Sequence, residues 1–140
     1  MSSVYFDTSA FVKILIQEPG SASALRAWQA ADSVSCSRLL PAEARAALAI
    51  ARRQRRLSNA QQAQAKGALD AHWQDVFVVE VTERVVEDAG HLAEQEALRG
   101  YDAVHLASAL RAAVDVLITA DAEMIRAART RGLKVIDSRH

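Results

Sequence analysis

Four acidic residues stand where short apolar runs meet segments with helical periodicity. Asp7 directly follows one apolar run, and Asp121 comes two positions after another. Glu43 and Asp102 lie early in segments that have the helical repeat. Carboxylates crowded at one partly buried edge repel one another and lose hydration, and a hard divalent cation relieves both costs. The pattern therefore predicts a metal site that activates water against a phosphodiester.

Each acid also has a purely structural explanation. Aspartate is a favoured N-cap, and Asp7, Asp102 and Asp121 all come at predicted helix starts. Glu43 early in a helix complements the helix dipole. The sequence offers no evident Ser–His or Cys–His arrangement and no glycine-rich phosphate loop. A phospho-receiver or phosphatase-like domain is disfavoured because the stretch DTS at Asp7 lacks a second acid.

The elements that must position these acids alternate along the chain. Strands are predicted at residues 4–6, 34–36, 76–81, 116–119 and 133–136. Helices are predicted at residues 9–17, 21–31, 38–56, 102–113 and 122–131, with two more that are capped by Ser58 and Thr82 and end near Trp73 and Gly100. This order predicts one domain over residues 1–140, a three-layer α/β/α sandwich with a mainly parallel central sheet. Right-handed crossovers place all strand carboxyl ends at one edge, where the acids are expected to converge.

Composition narrows the class of protein. The 140 residues are 51% hydrophobic and 24% charged, which is typical of a globular domain. Lysine plus arginine and aspartate plus glutamate both number 17, so the net charge gives no hint of nucleic acid. Cys36 is the only cysteine, which excludes an internal disulfide and a cysteine-based zinc site, and we expect it to be a small buried hydrophobe. No apolar run is long enough to span a membrane and no signal peptide is recognisable, so a cytoplasmic location is expected.

At this point the sequence resembles a known family. The stretches VYFDTSAFVKI, LLPAEARAAL, GYDAVHLASAL and LITADAEMI are similar to the four acidic motifs of PIN-domain ribonucleases, above all the VapC-type toxins of bacterial toxin–antitoxin pairs. The resemblance implies Mg²⁺- or Mn²⁺-dependent cleavage of RNA phosphodiesters. It implies that Asp7 and Asp102 are the most direct metal ligands, that Glu43 and Asp121 complete the pocket, and that all four are catalytic. Ser9 and Thr119 match small polar positions that hydrogen-bond to the carboxylates or to waters.

The resemblance also implies partners. It suggests an RNA substrate, a homodimer, and a small VapB-like antitoxin whose C-terminal segment occludes the acidic pocket, often with a basic side chain. An arginine suits that role because it pairs with carboxylates and replaces the charge of a cation. The alternative is a non-catalytic PIN-like module that binds RNA or a partner, which the presence of all four acids disfavours.

Several other residues invite functional interpretations. His105 lies on the same helical face as Asp102 and could orient a carboxylate or touch a substrate, but a ring held by local hydrogen bonds is favoured. Arg45 lies about 200° round its helix from Glu43 and opens an arginine-rich stretch that ends at Arg56. Contact with RNA, contact with a partner and simple solvation all stay open for these arginines.

Overall fold

Residues 2–140 are described by a computed structural model. Its strands are β1 (Ser3–Phe6), β2 (Ser33–Ser37), β3 (Val76–Val79), β4 (Val116–Thr119) and β5 (Lys134–Asp137). Its helices are α1 (Thr8–Leu15), α2 (Ser21–Ala30), α3 (Leu40–Arg53), α4 (Asn59–Trp73), α5 (Glu83–Glu96), α6 (Gly100–Arg111) and α7 (Ala122–Thr130). No helix in this part of the chain is long and apolar enough to cross a membrane.

The five strands form one sheet in the order β3-β2-β1-β4-β5, and every neighbouring pair is parallel. The chain builds β2 and β3 on one side of β1, then returns to build β4 and β5 on the other. The strand order therefore reverses between β1 and β4. In open parallel sheets this reversal leaves a crevice at the strand carboxyl ends, where ligands bind.

The alternation of side chains along the central strands creates two hydrophobic cores. Tyr5 and Leu117 face a core formed with α5, α6 and α7, while Phe6 and Ile118 face a core formed with α1, α2, α3 and α4. Helices therefore cover both faces of the sheet, which confirms the predicted three-layer α/β/α fold. Trp28 packs edge-on against Phe6, at a ring-centroid distance of 5.6 Å.

Most predicted elements are present, with shifted ends. Ser58 forms a capping box with Gln61, and Thr82 caps α5, as predicted. The predicted end of α5 near Gly100 is wrong, because the helix ends at Glu96 and Ala97 takes the left-handed conformation. Gly100 instead begins α6, two residues before the predicted start.

Other boundaries differ because pairing or helical geometry stops earlier than the apolar pattern does. Pairing of β3 with β2 ends at Val79, so the predicted strand at residues 76–81 is two residues too long. The predicted helix at residues 38–56 begins at Leu40 and ends at Arg53. Helix α1 occupies Thr8–Leu15 rather than residues 9–17, because Ile16 is already extended.

Cys36 behaves as the sequence indicated. Its side chain is fully buried in the core on the α1 side of the sheet. Burial raises the pKa of its thiol well above the ordinary value, so the sulfur stays protonated and unreactive.

Candidate active site

The acidic residues gather around the reversal between β1 and β4. Asp7 follows β1 directly and is the N-cap of α1. Asp121 is the N-cap of α7, two residues after β4. Glu43 and Asp102 lie in the first turns of α3 and α6. All four therefore stand at the carboxyl edge of the sheet, but only Asp7 and Asp121 act as caps.

Asp7 is a buried carboxylate held on both oxygens. Its Oδ1 accepts hydrogen bonds from Ser9 Oγ at 2.7 Å and from the Ala10 backbone N–H at 3.0 Å. Its Oδ2 accepts one from Thr119 Oγ1 at 2.5 Å. Burial raises the pKa of Asp7 above its ordinary value, although nearby His105 and these hydrogen bonds oppose the shift. A fixed carboxylate that is costly to ionise gains from a nearby cation.

Thr119 joins Asp7 to Asp121. While its hydroxyl donates to Asp7, its Oγ1 accepts the Asp121 backbone N–H at 3.1 Å. Ser9 lies against the same group, with Oγ 3.3 Å from Thr119 Oγ1, and accepts the Ala120 N–H at 2.9 Å. The hydroxyls of Ser9 and Thr119 thus lock the ends of β1 and β4 together around Asp7.

Glu43 reaches the site from α3 and is held through one oxygen. Its Oε1 accepts from Thr8 Oγ1 at 2.7 Å and lies 2.6 Å from His105 Nε2. Burial alone would raise the pKa of Glu43, but hydrogen bonding and charge from His105, with help from Thr8, bring it below the ordinary value. Glu43 is therefore ionised at neutral pH.

Asp102 and Asp121 share one arginine. Arg99 Nε lies 3.3 Å from Asp102 Oδ2, and Arg99 Nη2 lies 3.9 Å from Asp121 Oδ2. Burial raises the pKa of Asp102, repulsion from Asp121 raises it further, and Arg99 only partly compensates. The two carboxylates therefore concentrate negative charge, and the guanidinium of Arg99 is already drawn to them.

The four acids have the right chemistry for a hard divalent cation, but their side chains are not arranged around one. All four candidates supply carboxylate oxygens, the ligands that Mg²⁺ and Mn²⁺ prefer. Within residues 2–140, however, no three Asp, Glu, His or Cys side chains are arranged to hold a metal ion. Asp7 is engaged by hydroxyls and the Asp102–Asp121 pair by Arg99. A cation at this edge would therefore compete with Arg99 for Asp102 and Asp121.

Two contributors to the site were not among the site residues predicted from the sequence. Thr8 donates to Glu43, and Arg99 bridges Asp102 and Asp121. Thr8 was identifiable only as a hydroxyl next to Asp7, and Arg99 only as a basic residue three positions before Asp102. By contrast, the partner of Arg45 is exposed Asp70, with Arg45 Nη2 3.9 Å from Asp70 Oδ1.

Comparisons with known proteins identify the family of this chain. The PIN domain family model matches residues 4–130. Ribonuclease VapC49 of Mycobacterium tuberculosis is 44% identical over 137 residues, which cover 96% of this chain and 95% of that protein. The crystal structure of VapC20 from the same species, described as a Sarcin-Ricin loop cleaving toxin, superposes with a TM-score of 0.69 at 19% identity, over 89% of this chain and 94% of that one. A toxin–antitoxin complex from Klebsiella pneumoniae gives a TM-score of 0.68 at 18% identity, over 96% and 97%.

The fold, the acidic edge and the family model together define a PIN domain, and the chain belongs to that family. The identity to VapC49 over almost the full length of both chains places it, more particularly, among the family's VapC proteins. The two structural likenesses support the same fold.

Proposed function

We propose that this chain is an endoribonuclease of the VapC type that hydrolyses RNA phosphodiester bonds at the acidic edge between β1 and β4. The observation that carries the proposal is the convergence there of Asp7, Glu43, Asp102 and Asp121 from four separate elements. The name of VapC49, a ribonuclease at 44% identity, supports RNA as the substrate.

The chain's own residues prepare the site for a cation and a phosphate. Asp7 is rigid, Asp102 and Asp121 concentrate negative charge, and Glu43 stays ionised with its Oε2 taking part in no hydrogen bond among residues 2–140. That oxygen is available to accept a hydrogen bond from a water that attacks phosphorus. These four acids would hold Mg²⁺ or Mn²⁺, which would supply Lewis acidity for the phosphoryl group and for an attacking water.

The partner we propose is an antitoxin that inserts a basic side chain among the acids. Arg99 supports this, because its guanidinium already contacts both Asp102 and Asp121. A groove of about 290 Å³ next to Thr8 and Ser9, with Lys13 and Arg56 on its wall, gives a segment of such a partner a path to the site. The toxin–antitoxin complex from Klebsiella pneumoniae shares the fold. We further propose that the chain acts on RNA in the cytoplasm.

We further infer that the working form is a homodimer. Tyr101 and Val86 are 68% and 53% exposed on α6 and α5, and they flank an apolar groove of about 360 Å³ that Ala89, Gly90 and Ala93 line. Large apolar side chains around a groove are typical of protein–protein contacts. A second copy of the chain is the partner that the family resemblance suggests.

The proposal is tested by cleavage of purified RNA under control of divalent ions. The wild-type chain should cut RNA with Mg²⁺ or Mn²⁺, stop in EDTA, and resume when the ion is restored. An Asp102→Asn variant purified in parallel controls for contaminating nucleases and should be inactive. Cleavage that is indifferent to EDTA, or equal in Asp102→Asn, would refute the metal-dependent mechanism.

A further inference from the structure

His105 is a buried polar residue in direct contact with a candidate catalytic acid. It is 2% exposed, on the face of α6 that carries Asp102 one turn earlier. Its Nε2 lies 2.6 Å from Glu43 Oε1, and its Nδ1 lies 2.8 Å from the hydroxyl of Tyr5. Both ring nitrogens are therefore engaged, each by a different element of the fold.

Tyr5 contacts the imidazole ring of His105 through Nδ1. Its side chain is fully buried in β1 and stands edge-on to the His105 ring, with centroids 6.0 Å apart. Because β1 is the central strand of the sheet, the surrounding core restricts the movement of Tyr5. The contact of Nδ1 with Tyr5 therefore favours the ring orientation in which Nε2 faces Glu43.

The contact with His105 occupies one of the two carboxylate oxygens of Glu43. A carboxylate can only accept a hydrogen bond, so in the 2.6 Å contact His105 Nε2–H is the donor and Glu43 Oε1 the acceptor. Thr8 donates to the same oxygen, Oε1, at 2.7 Å. Two donors on Oε1 restrain the carboxylate and leave Oε2 as the oxygen that takes part in no hydrogen bond among residues 2–140.

We propose that His105 is a positioning residue for RNA cleavage, whose Nε2–H, oriented by Tyr5, holds Glu43 so that Oε2 faces the reacting phosphate. This inference rests on the proposed ribonuclease function. It gives α6 two tasks in the site, since one face of the helix supplies Asp102 and also supports Glu43 on α3. Hydrogen-bonding partners of this kind commonly affect activity by about 10–100-fold.

Variants at His105 separate the donor from the bulk of the ring. His105→Gln keeps an N–H near the position of Nε2, whereas His105→Leu keeps volume but loses the donor. Tyr5→Phe keeps the aromatic ring and removes only the hydroxyl that holds Nδ1. His91→Gln, at an exposed position on α5, controls for loss of an arbitrary histidine.

The decisive readout is the separation of kcat from KM, with thermal unfolding of every variant as a check on folding. His105→Leu should lower kcat by about 10–100-fold with little change in KM, and Tyr5→Phe should lower it less. His105→Gln should recover most of the activity, and His91→Gln should match wild type. Activity in His105→Gln as low as in His105→Leu, with both folded, would overturn the proposal.

A nuclear magnetic resonance measurement tests the same contact without catalysis. The wild-type ring should show a proton on Nε2 that exchanges slowly with water, and Glu43→Gln should shift its resonance. An unprotonated Nε2, or a resonance that Glu43→Gln leaves unmoved, would overturn the proposal even if no variant at His105 folded. Wild-type chain that cuts no RNA refutes the proposed function, whereas wild-type cleavage with a fully active His105→Leu refutes the positioning role alone.

Discussion

Thr119 is the residue whose hydroxyl connects two of the candidate catalytic acids. It donates to Asp7 Oδ2 at 2.5 Å and accepts from the backbone of Asp121 at 3.1 Å. Thr119→Val keeps the shape of the side chain but leaves a buried carboxylate and a backbone N–H short of a partner. We expect a loss of about 1–3 kcal/mol in the free energy of unfolding, measured in urea, and reduced RNA cleavage.

Thr119→Ser is the matched control for that prediction, because it retains the hydroxyl and removes only a methyl group. It should stay near wild type in cleavage and lose less stability than Thr119→Val. A Thr119→Val variant with wild-type stability and activity would show that the link between Asp7 and Asp121 has no energetic weight.

Asp102 should reduce the stability of the metal-free protein at neutral pH. Its pKa is raised above the ordinary 3.8 by burial and by Asp121, so the unfolded chain loses this proton at a lower pH than the folded one. The contribution to stability therefore falls as pH rises through the interval between the two pKa values. In EDTA at pH 7, Asp102→Asn should raise the free energy of unfolding, by a few tenths to about 1 kcal/mol for this partly exposed group.

Asp137 provides a control, because its pKa is shifted in the opposite direction to that of Asp102. Hydrogen bonds and charge from Arg139 lower the pKa of Asp137 from 3.8 to about 2. Its ionised form therefore favours folding above pH 3.8, a contribution that is lost as pH falls through about 2. Asp137→Asn should reduce stability at pH 7, so urea midpoints that move in the same direction for both variants would contradict this assignment.

At the scale of elements, the end of α5 carries a strained residue. Ala97 adopts φ 54°, a left-handed conformation that glycine takes at much lower cost. Ala97→Gly should therefore stabilise the protein by about 0.5–1 kcal/mol, measured by urea unfolding.

The control for the helix end is a glycine inside the same helix. Ala93→Gly lies within α5, where added backbone freedom should cost about 1 kcal/mol. If both glycine variants were destabilised alike, the left-handed conformation of Ala97 would carry no strain.

The same helix end marks what the sequence could not reveal. The sequence predicted an end near Gly100, whereas α5 ends at Glu96 with Ala97 as its C-cap, and Gly100 begins α6. Strands were predicted more closely, and β4 at residues 116–119 matches fully, because four apolar or β-branched residues in a row suit a buried parallel strand. The hydrophobic periodicity locates helices and strands, but competing capping and turn residues determine where each of them ends.

Across the whole molecule, topology explains which parts of the site were predictable. The rule that parallel strands end at one edge was enough to expect Asp7 and Asp121 at the same edge of the sheet. The contacts that define the site join residues far apart in the chain, such as Thr8 with Glu43 and Tyr5 with His105. No local sequence pattern specifies these contacts, so the donor to each carboxylate oxygen could be identified only from the structure.

The carboxylates at the acidic edge repel one another, so we expect a divalent ion that binds there to stabilise the folded chain. An ion that binds only the folded state raises stability by about 2.7 kcal/mol at 100 times its dissociation constant. The melting temperature of the wild type should therefore rise by several degrees as Mn²⁺ or Mg²⁺ is added. Asp102→Asn should lose most of this shift, whereas Glu123→Gln, an exposed acid on α7, should keep it.

A rise of equal size in Asp102→Asn and wild type would place the cation elsewhere on the surface. Matched additions of NaCl separate specific binding from general screening, because screening by salt needs no particular carboxylate.

The central claim is that the carboxylates at the sheet edge perform the RNA cleavage. Its most direct test is the single-turnover rate of RNA cleavage by Asp7→Asn beside that of Glu123→Gln, at saturating Mg²⁺. Asp7→Asn should lose at least about 100-fold while Glu123→Gln stays near wild type, since only Asp7 belongs to the site. Cleavage by Asp7→Asn at the wild-type rate would contradict the claim.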